Sequence, residues 1–274
     1  MKKLTKVWAV YFTGTGNTKK TVTTVAKAAC DRLGCEYAEY DFSLPAAREN
    51  QLSFSETDLV VFGTPVYAGR VPNVLLPYLT KQIKGNGALA VPVVTYGNRN
   101  FDDGLMELRN LMIANGLLPI AGGAFVGEHS FSTTLGAGRP DVDDLTLAEK
   151  LGCEAADKVL SGAVTAPVTV EGEDPIRPYY TPRDRAGNPI NILKVKPKTD
   201  TDKCINCGLC ARICTMGSID PKDVTNVTGI CIKCCACVKR CPKGAKYYED
   251  EGYLYHQHEL EDMYARRGES KIFL

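Results

Sequence analysis

Long apolar runs are absent from this chain. No stretch approaches the roughly 18 apolar residues of a transmembrane helix, so no membrane span is expected. The opening "MKKLTKVWAVYFTG" begins like a secretory leader. Its apolar run "VWAVYF" is too short, however, and no A-x-A-like cleavage site follows. Without leader or span, the chain reads as cytoplasmic. Charge of one sign is also missing: 33 Lys and Arg face 32 Asp and Glu, a net charge of +1. That balance argues against a nucleic-acid binder and against an acidic disordered tail. Histidine is scarce, with only His129, His256 and His258. The last two lie two residues apart, a poor spacing for one helical face, and receive no metal role. His129, in "GEHSFS", reads as a loop or surface histidine, with a catalytic role at the edge of a cofactor site as the other reading. No constellation for hydrolysis, group transfer or nicotinamide binding stands out.

What is present is cysteine, unevenly spread. Of twelve, Cys30, Cys35 and Cys153 are scattered, and the other nine lie between 204 and 241. Disulfide frameworks suit small secreted domains, whereas clustered cysteines in a cytosolic chain more often bind metal. The 274 residues suffice for one large domain and one smaller one.

Residues 1–165 alternate strand-like and helical patterns. Strands are expected at 6–12, 35–42, 58–63, 87–97 and 117–127. Helices are expected at 18–33, from Pro72 as a first-turn proline, at 102–115 closed by Gly116, and at 141–162. Pro92 sits awkwardly in the fourth strand. Such alternation predicts an α/β fold with a parallel sheet covered on both faces. Residues 166–199 are proline-rich without helical period and read as a connector. Residues 200–246 form a cysteine-rich unit. Residues 247–274 hold one helix and a tail, "KIFL", that reads equally as docked or frayed.

Directly after the first strand stands "TGTGNT", then a helix. Gly14 and Gly16 allow a tight turn and close ligand approach. Helix-start N–H groups favour an anion, and Thr13, Thr15, Asn17 and Thr18 add hydrogen-bonding groups. The combination suits a phosphate monoester, with a ligand-free polar turn as the other reading. A Walker loop needs lysine where Asn17 stands; a dinucleotide fingerprint needs glycine where Lys19 stands. Two further loops, "TPVYAGRVP" (64–72) and "TYGNRNFDD" (95–103), follow strands three and four. Ligands of doubly wound sheets bind at those strand ends. Tyr67 and Tyr96 suit the flanks of a flat cofactor, or else cap the core.

With these three loops, residues 1–162 resemble a flavodoxin. The resemblance implies a doubly wound five-stranded sheet of order 2-1-3-4-5 binding FMN at its switch point. It implies that Thr13 to Thr18 hold the phosphate. It also implies that Thr64, Pro65, Val66, Tyr67, Ala68 and Gly69, with Tyr96, Gly97, Asn98, Arg99 and Phe101, border the flavin ring. A backbone group near Gly69 would meet flavin N5. Arg70 and Arg99 depart from the acidic loops of many flavodoxins, either favouring an anionic reduced flavin or lying in solvent.

The cysteines follow C-x2-C-x2-C-x3-C twice: Cys204, Cys207, Cys210, Cys214, then Cys231, Cys234, Cys237, Cys241 followed by proline. Zinc rarely uses four such cysteines in one run. The repeat resembles the small α+β two-cluster bacterial ferredoxin, in which the fourth cysteine serves the other cluster. That resemblance implies one [4Fe–4S] on Cys204, Cys207, Cys210 and Cys241, and another on Cys231, Cys234, Cys237 and Cys214. Cys235 is then a spare, read as a small buried spacer. Thr215 stands where the pattern has proline. Eight Lys and Arg against four Asp over 200–246 offset the charge of two loaded clusters.

The whole resembles fused flavodoxin–ferredoxin proteins of anaerobic bacteria. The function expected is electron relay between two clusters and FMN and on to a redox partner protein. The alternative is a flavin-dependent oxidoreductase reducing a small molecule with electrons fed through the clusters; a regulatory redox sensor is a weaker third. A connector folded over the flavin edge would favour the alternative. Homo-oligomerisation is left open.

Overall fold

The computed structural model describes residues 3–164 and 167–274. The expected junction at 165–166 and the first two residues lie outside them. Strand β1 (Lys6–Tyr11) leads into helix α1 (Asn17–Leu33), and β2 (Glu36–Asp41) follows. The longer sheet strands that follow are β3 (Asp58–Pro65), β4 (Leu89–Tyr96) and β5 (Gly122–Val126), and the short segment Leu118–Pro119 also pairs with β4. Helices α2 (Leu76–Lys81), α3 (Gly104–Ala114) and α4 (Val142–Ser161) alternate with them. The strands run parallel in the order β2-β1-β3-β4-β5, the flavodoxin-like doubly wound arrangement. Central β3 and β4 are buried throughout because helices cover both faces. Val10, Phe62 and Leu105 fill one side, and Val7, Val25 and Leu151 the other.

Three local features differ from the sequence pattern. The helix expected from Pro72 starts as a 3-10 turn, Asn73–Leu75, before α2. Pro77 lies in the first turn of α2, where its missing N–H costs no intrahelical bond, so the α-helix proper opens at Leu76. Pro92 is tolerated in central β4 because the neighbouring ladder is interrupted there, between Pro119 and Gly123. Asp103 stands at the α3 N-cap without capping it; its carboxylate accepts from Arg177 and from the Glu173 N–H instead.

The connector has no strand or helix between 167 and 197 but is anchored at both ends of its course. Val168 and Val170 are buried in the core, and Tyr179 and Tyr180 reach the loop after β3. Strands β6 (Lys198–Thr199) and β7 (Lys246–Tyr247) pair antiparallel and close the cysteine-rich unit. Within it lie two single-turn helices, α5 (Leu209–Arg212) and α6 (Ala236–Lys239). Helix α7 (Glu251–Met263) follows, capped by Asp250. The tail is then a strand: β8 (Lys271–Phe273) adds antiparallel to β5, so a sixth rung extends the five-strand order. Among the described residues no helix is long and apolar enough to cross a membrane.

Candidate redox site

Gly16 starts α1 with a φ of 106° and no side-chain cap, a conformation other residues rarely adopt. The turn is pinned from within. Thr13 N–H donates to Ser43 Oγ at 2.8 Å, and Gly16 N–H to Thr13 Oγ1 at 3.0 Å. Thr18 and Thr95 share a buried hydroxyl–hydroxyl bond of 2.6 Å. Asn17 Nδ2 donates to Glu128 O at 3.1 Å. Those side chains therefore shape the loop. The first-turn N–H groups have no intrahelical partner, and no acid lies in that turn. Together with Thr15, half-buried, they form a donor set suited to a phosphate.

The loop after β3 makes a tight hairpin turn. Tyr67 and Arg70 exchange backbone hydrogen bonds of 2.9 and 3.2 Å, with φ at 52° for Ala68 and 79° for Gly69. Positive φ at both central residues is the type I′ pattern. Thr64 Oγ1 is buried with no partner, and Pro65 is buried beside it. Val66 packs against the first residue of α3. Arg70 does not lie free in solvent: it pairs with Glu107 at 2.5 Å and stacks on Tyr179.

The loop after β4 is occupied differently. Tyr96 is buried, packs on Phe101, and donates to Glu269 O at 2.5 Å. Asn98, also buried, donates to Tyr264 O and Arg266 O at 2.7 Å and accepts from Gly268 N–H. Tyr96, Asn98 and Phe101 thus hold the C-terminal segment and the core. Arg99 pairs with Asp102 and stacks on Tyr180. Gly97 lies flat against the His129 ring: an added Cβ would stand 2.2 Å from His129 Cδ2.

Tyr67, His129 and Cys234 each keep accessible surface, and burial is the leading cause of all three pKa shifts. It raises Tyr67 well above its usual range, raises Cys234, and lowers His129 to about 3. Gly14 joins two of these groups: an added Cβ would lie 2.8 Å from Cys234 Cβ and 3.4 Å from Tyr67 Oη, so the phosphate loop, the β3 loop and the second cysteine motif meet there. The open first-turn N–H groups and Thr15 suit the phosphate of a flavin mononucleotide.

The two cysteine motifs fold as pseudo-repeats. Asn206 and Lys233 both have positive φ, and so do Gly208 and Cys235, at 69° and 57°, just ahead of α5 and α6. Cys235 therefore occupies the position glycine holds in the first motif. It is buried, donates to Lys233 O at 3.3 Å, and lies 3.5 Å from Tyr253 Oη. One cleft is lined by Cys204, Cys207, Cys210 and Cys241. A second is lined by Cys214, Cys231, Cys234 and Cys237. Cys237 also reaches the wall of the first, and Cys235 that of the second. The thiols surround a volume rather than a point, the donor arrangement a cluster needs. Backbone N–H groups of Ser218 and Ala245 donate to Cys214 and Cys241 at 3.3 Å. Against the cost of burial, such donors hold the Cys241 thiol below its usual pKa.

The second motif is the inner one. Lys239 donates to Glu128, to His129 O at 2.6 Å and to Ser132 O at 2.7 Å. Arg48 donates to Thr215 O at 2.6 Å. Cys207 and Ile205 of the first motif are exposed. Neither contact carries a sequence signal, because Lys239 meets Glu128 and Arg48 meets Thr215 from far along the chain.

Residues 197–220 match the model of the 4Fe-4S binding domain family. No curated protein matches the sequence. Among solved structures, the chain is similar to a flavodoxin from the domain Archaea, at 14% identity, covering 57% of this chain and 99% of that one, TM-score 0.41. It is similar to flavodoxin 2 from Bacillus cereus, at 12%, 56% and 99%, TM-score 0.43. The flavodiiron protein from Giardia intestinalis aligns at 19%, 57% and 36%, TM-score 0.36. The fold assignment itself rests on strand order. The chain joins a flavodoxin-like α/β unit to a ferredoxin-type 4Fe-4S unit.

Proposed function

We propose that this chain is an electron-transfer protein in which two [4Fe–4S] clusters and one FMN form a single relay. The cluster ligands are Cys204, Cys207, Cys210 and Cys241 for the outer centre, and Cys214, Cys231, Cys234 and Cys237 for the inner one. The observation that carries the reading is the contact of Cys234 with Gly14, which seats the inner ligand set on the phosphate loop. Flavin accepts electrons singly or in pairs whereas each cluster carries one, so the pairing converts between the two regimes. The first-turn N–H groups and Thr15 bind the phosphate. Tyr67 and His129 border the flavin. His129 accepts the Phe131 N–H at Nδ1, at 3.2 Å, so the neutral ring carries its proton on Nε2. The outer set, with Cys207 at the surface, faces a redox partner protein. Units 1–165, 200–246 and 247–274, with the 166–199 connector, serve as flavin unit, cluster unit, brace and strap.

Anaerobic purification with an absorbance spectrum and metal and flavin counts tests this. One FMN and about eight irons per chain are expected from four-iron clusters with four thiolates each. Zinc in place of iron, or no flavin, sinks the reading.

One observation favours a second reading, an oxidoreductase acting on a small molecule at FMN. The connector crosses the loop after β3: Tyr180 N–H donates to Ala68 O at 2.8 Å, and Tyr179 Oη to Val71 O at 2.8 Å. A covered flavin edge suits a small substrate better than a protein. Anaerobic reoxidation of the reduced protein by small quinones, nitro compounds and a protein acceptor separates the two readings.

A further inference from the structure

The two cysteine sets are related by an offset of 27 residues, yet their sulfurs are not equally served by donors. Each set has one backbone donor at 3.3 Å, Ser218 N–H to Cys214 and Ala245 N–H to Cys241, and the N–H groups of Lys243, Gly244 and Lys246 also lie toward Cys241. The inner set has two hydroxyls in addition. Thr215 Oγ1 lies 3.5 Å from Cys234 Sγ, and Tyr248 Oη lies 3.4 Å from Cys231 Sγ. At the offset positions of the outer set stand Pro242 and Pro221, which carry no donor. Both hydroxyl residues are buried. A ligating sulfur has no proton, so in each pair the hydroxyl must donate.

Donors to cluster sulfurs stabilise the more negative, reduced state, and such bonds are among the determinants of cluster potential. We propose that Thr215 and Tyr248 raise the reduction potential of the inner centre above that of the outer one. This rests on the two-cluster reading given above. An electron delivered to the exposed outer set by a low-potential one-electron donor protein then moves inward. The outer centre is oxidised and the inner one reduced by one electron, with no bond or proton transferred. Thr215 is fixed independently of its side chain by the Arg48 bond to its carbonyl. Exposure of the outer set also affects its potential; variants that change only the hydroxyls separate the two influences.

The test is an anaerobic potentiometric titration of the full-length holoprotein with dithionite, read by electron paramagnetic resonance. The variants are Thr215→Val, Tyr248→Phe and, as rescue, Thr215→Ser. Thr215→Val and Tyr248→Phe should each lower the same single potential, the higher of the two in the wild type. The expected size is about tenfold in the reduction equilibrium, or ~59 mV for one electron. Thr215→Ser should restore it. Iron content is measured first; should Tyr248→Phe lose iron, Thr215→Val against Thr215→Ser decides. Unshifted potentials, a shift of both centres, shifts of different centres, or a shift confined to the lower potential overturn the proposal. A wild-type protein with fewer than two clusters overturns the relay reading and this proposal together. About eight irons with unshifted potentials overturns this proposal alone.

Discussion

Gly14 of the phosphate loop lies against Cys234 of the second cysteine motif, with room for hydrogen only: an added Cβ would meet Cys234 Cβ at 2.8 Å and its carbonyl oxygen at 3.2 Å. Two segments 220 residues apart in the chain thus form one wall. Gly14→Ala should push them apart, at about 1–3 kcal/mol of overpacking. Flavin affinity should fall roughly fivefold to a hundredfold on that scale, with slower electron exchange between inner cluster and flavin. Fluorescence titration of FMN and anaerobic stopped-flow absorbance measure the two. Unchanged values for both would mean that the contact plays no part in the site.

Cys235 and Cys241 separate ligand from bystander. Cys235 has a φ of 57° where the first motif has Gly208, a conformation costing a non-glycine residue roughly 1–2 kcal/mol. Cys235→Gly should keep the full iron content and change stability little, since relief of strain offsets the lost packing. Cys241→Ser should cost about four irons of the outer centre, although Cys241 belongs to the second motif, on the shared-ligand pattern. Iron counts and the two resonance signals report the outcome.

Asp103 holds the connector. It is buried at 1% exposure and accepts from Arg177 and two backbone N–H groups. Bonds from Arg177 lead the causes that hold its pKa at about 2, below the ordinary 3.8. A depressed carboxyl pKa contributes stability present above about pH 4 and lost as pH falls through about 2. At neutral pH the contribution is complete, and Asp103→Asn removes it. Limited proteolysis at pH 7 should then cut within 167–199 faster than in the wild type. Equal rates would show the strap held by Tyr179 and Tyr180 alone.

His129 and His256 should make the protein sensitive to mild acid. Burial, ahead of nearby positive charge, lowers them to about 3 and about 4 from 6.5. A lowered histidine pKa means the unfolded chain takes up the proton first. Stability is therefore full above about pH 6.5 and lost progressively as pH falls toward 4. The slope is up to about 1.4 kcal/mol per pH unit for each histidine. Anaerobic denaturant titrations at pH 7 and 5 measure it. His256→Gln should flatten the slope by about one proton.

The α/β alternation, the glycines of the phosphate loop and the paired cysteine spacing are local patterns, and local patterns are legible in order along the chain. Gly16 is legible because a β–α turn with positive φ demands glycine. Cys235 is legible as a spare because its neighbours satisfy the spacing without it, but its left-handed backbone is not. Tyr96 and Asn98 look like flavin contacts in sequence. The structure gives their polar groups to the C-terminal segment, because β8 joins the sheet edge beside β5 and brings residues 264–270 across that loop. Likewise, nothing along the chain announces that Arg48 meets Thr215 or that Lys239 meets Glu128.

By itself the sequence determined which local patterns are present: a glycine-rich turn after the first strand and two sets of thiols at cluster spacing. Those depend on contacts within a few residues, which spacing encodes. Only the tertiary structure decided which cysteine set meets the phosphate loop, which hydroxyls reach its sulfurs and what covers the loop after β4. Those depend on docking between units, where side chains distant in sequence share one buried surface.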